Sequence, residues 1–396
     1  MTDIVILGAG YAGMAAAIQL AARKIRPAAR NAQPAARNAQ PAAGNAQLSA
    51  GDVRVTLVNA GDRFTERLRL PMAATGQEVA DLRIPSLLAG TGARFEQGWV
   101  TSVDLDRRTV SLEDRKIKFD FLVYALGAVP DTSSVPGAAE HGYTVEDAEL
   151  LPSRLAAAKH VVVGGTGLTG VESAAEIASR YPSATVTLVG RSAPGATMNP
   201  RAGDYLRRAL ARLGVRTVQG EIDKVLPSGV RVNGVFLPGD VFLWAGGTKI
   251  SPLAAGIQTD ARGRIVTDEA LRSVSHPFVW AVGDAAAIRQ PYGIMHGTCQ
   301  GGMPTGVHAA LSIIRTLAGK EPRKFRFGYY HTPVSLGRGD GVVQFTHGDD
   351  SPRRFYLTGR LAARYKEVVT ASPWPTYRRM KRFPASGAFW PHGKRS

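Results

Sequence analysis

Two glycine turns constrain this chain more than any other feature. The first follows the apolar run DIVIL at residues 3–7 and reads Gly8-x-Gly10-x-x-Gly13; the second follows HVVVG at 160–164 and reads Gly165-x-Gly167-x-x-Gly170. Each joins a strand-like run to a helical pattern. In such a turn the first glycine permits a tight bend, and the second lets backbone approach a pyrophosphate. The third lets the helix pack on the strand. The following helix offers free N–H groups and its dipole to phosphate. Two such turns in one chain point to two bound dinucleotides.

The chain has 396 residues, 44 of them glycine, which suits two or three α/β domains with many tight turns. Its one cysteine, Cys299, excludes an internal disulfide, a CxxC redox pair and a thiolate metal site. Cys299 itself reads as a small buried residue, and His296 and His308 as structural ones. No metal is expected. Net charge is +17, and residues 323–396 carry 15 Lys/Arg against 4 Asp/Glu, a surplus of 11. That basic end is open to anionic lipid, to nucleic acid or to solvent. No run of about 18 apolar residues is present, so no spanning helix is expected. The apolar N-terminus lacks a basic leader and fits the nucleotide turn better than a signal peptide.

Residues 12–24 read as a helix. Residues 28–48 then repeat one heptad three times, AARNAQP, AARNAQP, AAGNAQL, without the apolar seam of a coiled coil. The repeat reads as an exposed loop inserted into an ordinary βαβ unit. Strand 53–59 ends at Asn59, where such folds usually place an acid for the ribose. Residues 64–76 are a loop and short helix, and 93–128 a β-meander followed by a buried strand. The second unit covers 159–245. Its strand 184–191 ends in Gly190-Arg191-Ser192, with no acid to repel a 2′-phosphate and an Arg to pair with it, so NADPH is expected ahead of NADH. A helix follows within 288–317, and antiparallel strands within 325–347. The basic C-terminal stretch, 360–382 and beyond, reads either as a solvated tail or as a membrane-surface anchor, its helical pattern interrupted by Pro373, Pro375 and Pro384.

The ordered combination of both glycine turns, ALGA at 125–128, TGVE at 169–172 and VGDAA at 282–286 resembles the two-dinucleotide-binding-domain flavoproteins. Among them the chain is similar to the type II NAD(P)H:quinone oxidoreductases. The resemblance implies an α/β fold of two Rossmann-like domains. An FAD domain (1–150 and 246–322) is split around an NAD(P) domain (151–245), and a β-rich C-terminal segment follows (323–396). It also implies residue roles. Gly8, Gly10 and Gly13 would hold FAD pyrophosphate, with Asn59 at its ribose and Val100 at adenine. Leu70 and Pro71 would approach the flavin, Ala125 and Gly127 would line the crossover, and Asp284 would bind the ribityl chain. Gly165, Gly167 and Gly170 would hold the nicotinamide cofactor. Glu172 would stand near the nicotinamide–flavin contact, although a first-turn acid favoured by the helix dipole is the plainer reading.

Two departures stand out. Quinone-reducing members carry an AQxAxQ stretch, and here Gln300 matches the first glutamine while Pro304 replaces the second. Asn59 replaces the usual ribose acid. The expected reaction passes a hydride from NAD(P)H to FAD and then electrons to a quinone, with Glu172 and Gln300 at the reacting end. The helix near Gln300 would aim its dipole at the reduced flavin. The expected place is cytoplasmic, at the inner face of a membrane. One rival is a soluble flavoenzyme serving a small redox protein or a biosynthetic intermediate. Another is a redox-sensing nucleic-acid-binding protein, although no nucleic-acid motif accompanies the basic end.

Overall fold

The structure, a computed structural model, describes residues 1–22 and 53–393. The heptad repeat at 28–48 lies outside the described residues. Two parallel sheets organise the rest. The first has the order Val279–Ala281, Phe121–Tyr124, Thr2–Leu7, Val53–Asn59, Arg94–Gln97, all parallel. The second has the order Arg216–Gln219, Thr185–Gly190, His160–Gly164, Val241–Trp244, again all parallel. Their inner strands read as apolar runs because they are buried, whereas the edge strands Arg94–Gln97 and Arg216–Gln219 are polar and partly exposed.

In each sheet the strand that enters a glycine turn is internal. Its sequence successor lies on one side and a later strand on the other. That reversal of strand order is the switch point at which open α/β sheets bind ligands. The first sheet takes Val279–Ala281 only after the second sheet is complete, so the first unit is split around the second, as expected.

Antiparallel meanders at Val100–Asp104, Thr109–Leu112, Lys116–Lys118 and at Ile222–Leu226, Gly229–Val232, Val235–Pro238 attach to the two units. The C-terminal segment has three antiparallel strands, His331–Ser335, Gly341–Thr346 and Pro352–Thr358. The helix Cys299–Leu317 crosses helix Tyr11–Ala21 at close range. A Cβ on Gly306 would stand 2.0 Å from the Ala12 carbonyl oxygen, so only glycine allows this approach.

The basic stretch is not a loose tail. It forms helices Gly359–Ala371 and Pro373–Arg382. The prolines at 373 and 375 open the second helix instead of interrupting one, because a first turn needs no proline N–H. Trp374 and Tyr377 pack with Phe64, their ring centroids 5.8 and 5.7 Å away, and Phe64 packs with Tyr11 at 5.3 Å. Tyr377 Oη donates to the Tyr11 carbonyl at 2.9 Å. The C-terminal helix is thereby fixed to the first glycine turn.

Candidate active site

The two glycine turns have the same geometry. Gly8 has φ +93° and Gly165 φ +109°, a region that favours glycine. A Cβ on either would lie 2.6 Å from a carbonyl oxygen, that of Ala125 or of Ala245. A Cβ on Gly13 or Gly170 would stand 1.8 Å from the oxygen of Gly8 or Gly165. The middle glycines differ: nothing lies within 4 Å of a Cβ on Gly10 or Gly167. Two glycines in each turn therefore serve packing, and the middle one leaves an open face at the helix start. That open face suits a pyrophosphate in both units.

Around the first turn, Asn59 Oδ1 accepts from the Ala9 N–H at 2.9 Å and Asn59 Nδ2 donates to the Gly61 carbonyl at 2.8 Å. Asn59 thus braces the turn itself, which an acid would do only by accepting. Ala125 donates its N–H to the Leu7 carbonyl and abuts Gly8; Gly127, with φ +65°, follows at the crossover. Val100 opens the meander just past strand Arg94–Gln97. Asp284 sits in the turn Gly283–Ala285, whose Gly283 N–H reaches Thr305 Oγ1 at 3.1 Å. Burial pushes its carboxyl above the usual range, against the nearby charges of Arg67 and His296. Among the described residues no protein donor meets that carboxyl. It fits a ligand bearing hydroxyl donors, as a ribityl chain does.

A cleft of about 590 Å³ opens between the two units and the C-terminal segment, with Pro71, Met72, Glu172, Ser335 and Lys366 in its wall. Leu70 and Pro71 begin the short helix Leu70–Ala73; Pro71 faces the cleft, whereas Leu70 packs with the second unit's core. Glu172 is buried in the interior of helix Leu168–Arg180, past its first turn, so the dipole does not account for it. It accepts from the Ser335 N–H at 2.8 Å and pairs with Lys366 Nζ at 2.9 Å. Lys366 also donates to the Pro333 carbonyl at 3.3 Å. Both side chains are under 10% exposed (9% and 7%), and removing one partner of such a pair costs about 3–5 kcal/mol. This buried ion pair stands at the wall of the cleft. Lys366 escaped the sequence reading because it looks like one more cation in a basic stretch.

Gln300 occupies the start of helix Cys299–Leu317, which Thr298 caps by accepting from the Gly301 N–H. Its amide donates to the His331 carbonyl and accepts from the Tyr330 N–H. Gln300 therefore ties the helix start to the C-terminal sheet. Burial pushes the Cys299 thiol up to about 12, so it is inert as a nucleophile near neutral pH. Arg191 is exposed just past strand Thr185–Gly190, and its carbonyl accepts from Gln219 Nε2 at 3.1 Å.

The pyridine nucleotide-disulphide oxidoreductase family matches residues 2–311. Ferroptosis suppressor protein 1 of Xenopus tropicalis is 27% identical over 394 residues, covering 94% of both chains. A type II NADH:quinone oxidoreductase of Staphylococcus epidermidis is 26% identical over 411 residues, covering 92% of this chain and 93% of its own. Among solved structures, an engineered water-forming NADPH oxidase, derived from the NADH oxidase of Lactobacillus brevis, shares the fold. Its TM-score is 0.68 at 20% identity, over 87% of this chain and 75% of its own. The matched span contains both glycine turns and Asp284, and the chain belongs to the pyridine nucleotide-disulphide oxidoreductase family as an FAD-dependent NAD(P)H oxidoreductase.

Proposed function

We propose that this protein oxidises NADPH and reduces a quinone-type acceptor in the cleft beside Glu172. The carrying observation is the buried Glu172–Lys366 pair at the wall of a cleft shared by both units. A type II NADH:quinone oxidoreductase of nearly equal length supports the acceptor class. In the net reaction NADPH, a proton and a quinone give NADP⁺ and a quinol. FAD, when bound, supplies the two-electron relay between nicotinamide and quinone.

The chain's own residues do the rest. Gly10 and Gly167 admit the two pyrophosphates, Asn59 braces the first turn, and Val100, Ala125 and Gly127 border that nucleotide. Asp284 accepts from ribityl hydroxyls. Pro71 walls the reacting end, Gln300 ties the start of helix Cys299–Leu317 to the C-terminal sheet, and Lys366 delivers a proton to the acceptor while Glu172 holds the ammonium in place. For the nicotinamide cofactor, Arg191 and Ser192 offer a cation and a hydroxyl to a 2′-phosphate. The engineered oxidase, bound to NADPH, had an Asp-Ala-Met run changed to Ala-Arg-Ser, the same chemical choice. Peripheral attachment to an anionic membrane is a further part of this reading. Exposed Phe383 and Phe389 stand at and beyond the end of the helix that carries Arg378, Arg379, Lys381 and Arg382.

The test separates the two half-reactions. In Lys366→Met, bleaching of bound flavin by NADPH should stay within about threefold of wild type, while quinone turnover falls by about a hundredfold. Equal losses in both halves, or no loss in either, would remove Lys366 from the proposed role.

A further inference from the structure

The charged groups of the cleft do not balance. Its wall holds Arg69, Arg338, Arg360, Arg364 and Lys366 against Glu172, Glu176 and Glu367, five cations to three anions. Lys366 is matched by Glu172. Arg69 is matched by Glu367 at 2.5 Å and by Glu66 at 3.1 Å. Arg338 donates to Gln77 Oε1 at 2.8 Å, and Gln77 Nε2 donates to Glu176 at 2.8 Å, a chain that joins the third acid to a cation. Arg360 and Arg364 remain. They stand one turn apart on helix Gly359–Ala371, both line the cleft, and among the described residues neither meets a carboxylate.

A solvated arginine on a helix is ordinary, but these two line the same cleft as the buried Glu172–Lys366 pair. Arg360 also stands in the first turn, where a cation gains nothing from the helix dipole. The same cleft is lined by Leu68, Pro71 and Met72, apolar surface suited to a ring. A volume of about 590 Å³ lies within the range of small-molecule sites and has room for a substituted quinone ring. Two guanidinium groups and apolar surface in one cleft suit an anionic group on an aromatic body.

We propose that the physiological acceptor is a quinone bearing a carboxylate, sulfonate or phosphate group, held by Arg360 and Arg364 while its ring lies against Leu68, Pro71 and Met72. The inference rests on the quinone-reductase reading above. The anionic group takes no part in the redox step: NADPH and one proton convert the quinone to its quinol, and the substituent leaves unchanged.

The experiment uses the FAD-loaded full chain with NADPH and two acceptors sharing one ring, 1,4-naphthoquinone-2-sulfonate and neutral menadione. The readout is the ratio of their kcat/KM values, so the intrinsic reactivity of each quinone cancels between variants. In Arg360→Gln/Arg364→Gln the ratio should fall about tenfold, and in Arg360→Glu/Arg364→Glu further. The wild-type ratio should decline with salt and the variant ratios should not. Arg360→Lys/Arg364→Lys should keep part of the preference. A ratio unmoved by all three substitutions overturns the inference while leaving quinone reduction standing. Failure of the wild type to reduce either quinone after its flavin has been bleached overturns both.

Discussion

Gly10 and Gly13 stand three residues apart and do different work. A methyl on Gly13 would collide with the Gly8 carbonyl oxygen at 1.8 Å, so Gly13→Ala should destabilise the fold by about 3 kcal/mol or more. A methyl on Gly10 meets no protein atom, so Gly10→Ala should keep its urea midpoint and lose flavin affinity by at least about tenfold. Urea denaturation paired with flavin titration separates the two; flavin retained by Gly10→Ala would contradict the cradle. At the second unit, Arg191→Glu should shift the NADPH/NADH ratio of kcat/KM toward NADH by at least about tenfold. An unchanged ratio would remove Arg191 from the 2′-phosphate site. These residues were legible because a dinucleotide turn is local: strand, glycines and helix follow one another along the chain. Lys366 was not, because its partner Glu172 reaches it only through packing of a distant helix. Asp284 and Asn59 were placed by resemblance, and only the folded chain reveals that one carboxyl lacks a protein donor while the other site's amide braces a turn.

At the scale of elements, the C-terminal helices differ most from expectation. A basic stretch with three prolines reads as a tail, since charge and proline both argue against a buried helix. Two of those prolines start the helix Pro373–Arg382, and its few apolar residues, Trp374, Tyr377 and Met380, recur at helical spacing and are buried. The cations occupy the other face and Phe383 and Phe389 project beside them, 57% and 86% exposed. Large exposed aromatics at and beyond the end of a helix rich in cations, with Arg382 stacked over the Phe383 ring at 5.3 Å, suit an anionic bilayer surface. Phe383→Ser/Phe389→Ser should weaken sedimentation with phosphatidylglycerol vesicles by at least about tenfold, since each buried phenyl ring contributes about 1.5–3 kcal/mol. Binding that survives both substitutions, or that ignores vesicle charge, would detach this helix from the membrane reading. Among the described residues no helix is long and apolar enough to cross a membrane.

For the whole molecule, two sheets of one design carry two identical glycine turns, and a third segment closes over the gap between them. Each sheet alone offers a nucleotide site; the cleft with its buried ion pair exists only where all three meet. That division explains why fold and cofactors could be read along the chain while the proposed acceptor cleft was legible only at Pro71 and Glu172, since its walls come from residues 68–72, 172–176 and 335–370. The most direct measurement is anaerobic mixing of the FAD-loaded protein with NADPH, following flavin absorbance, and then addition of menadione. Fast bleaching by NADPH, slower bleaching by NADH, and full recovery of the oxidised spectrum with the quinone are expected. Bleaching that menadione does not reverse would contradict quinone reduction, and no bleaching by either nucleotide would contradict electron transfer between the two sites.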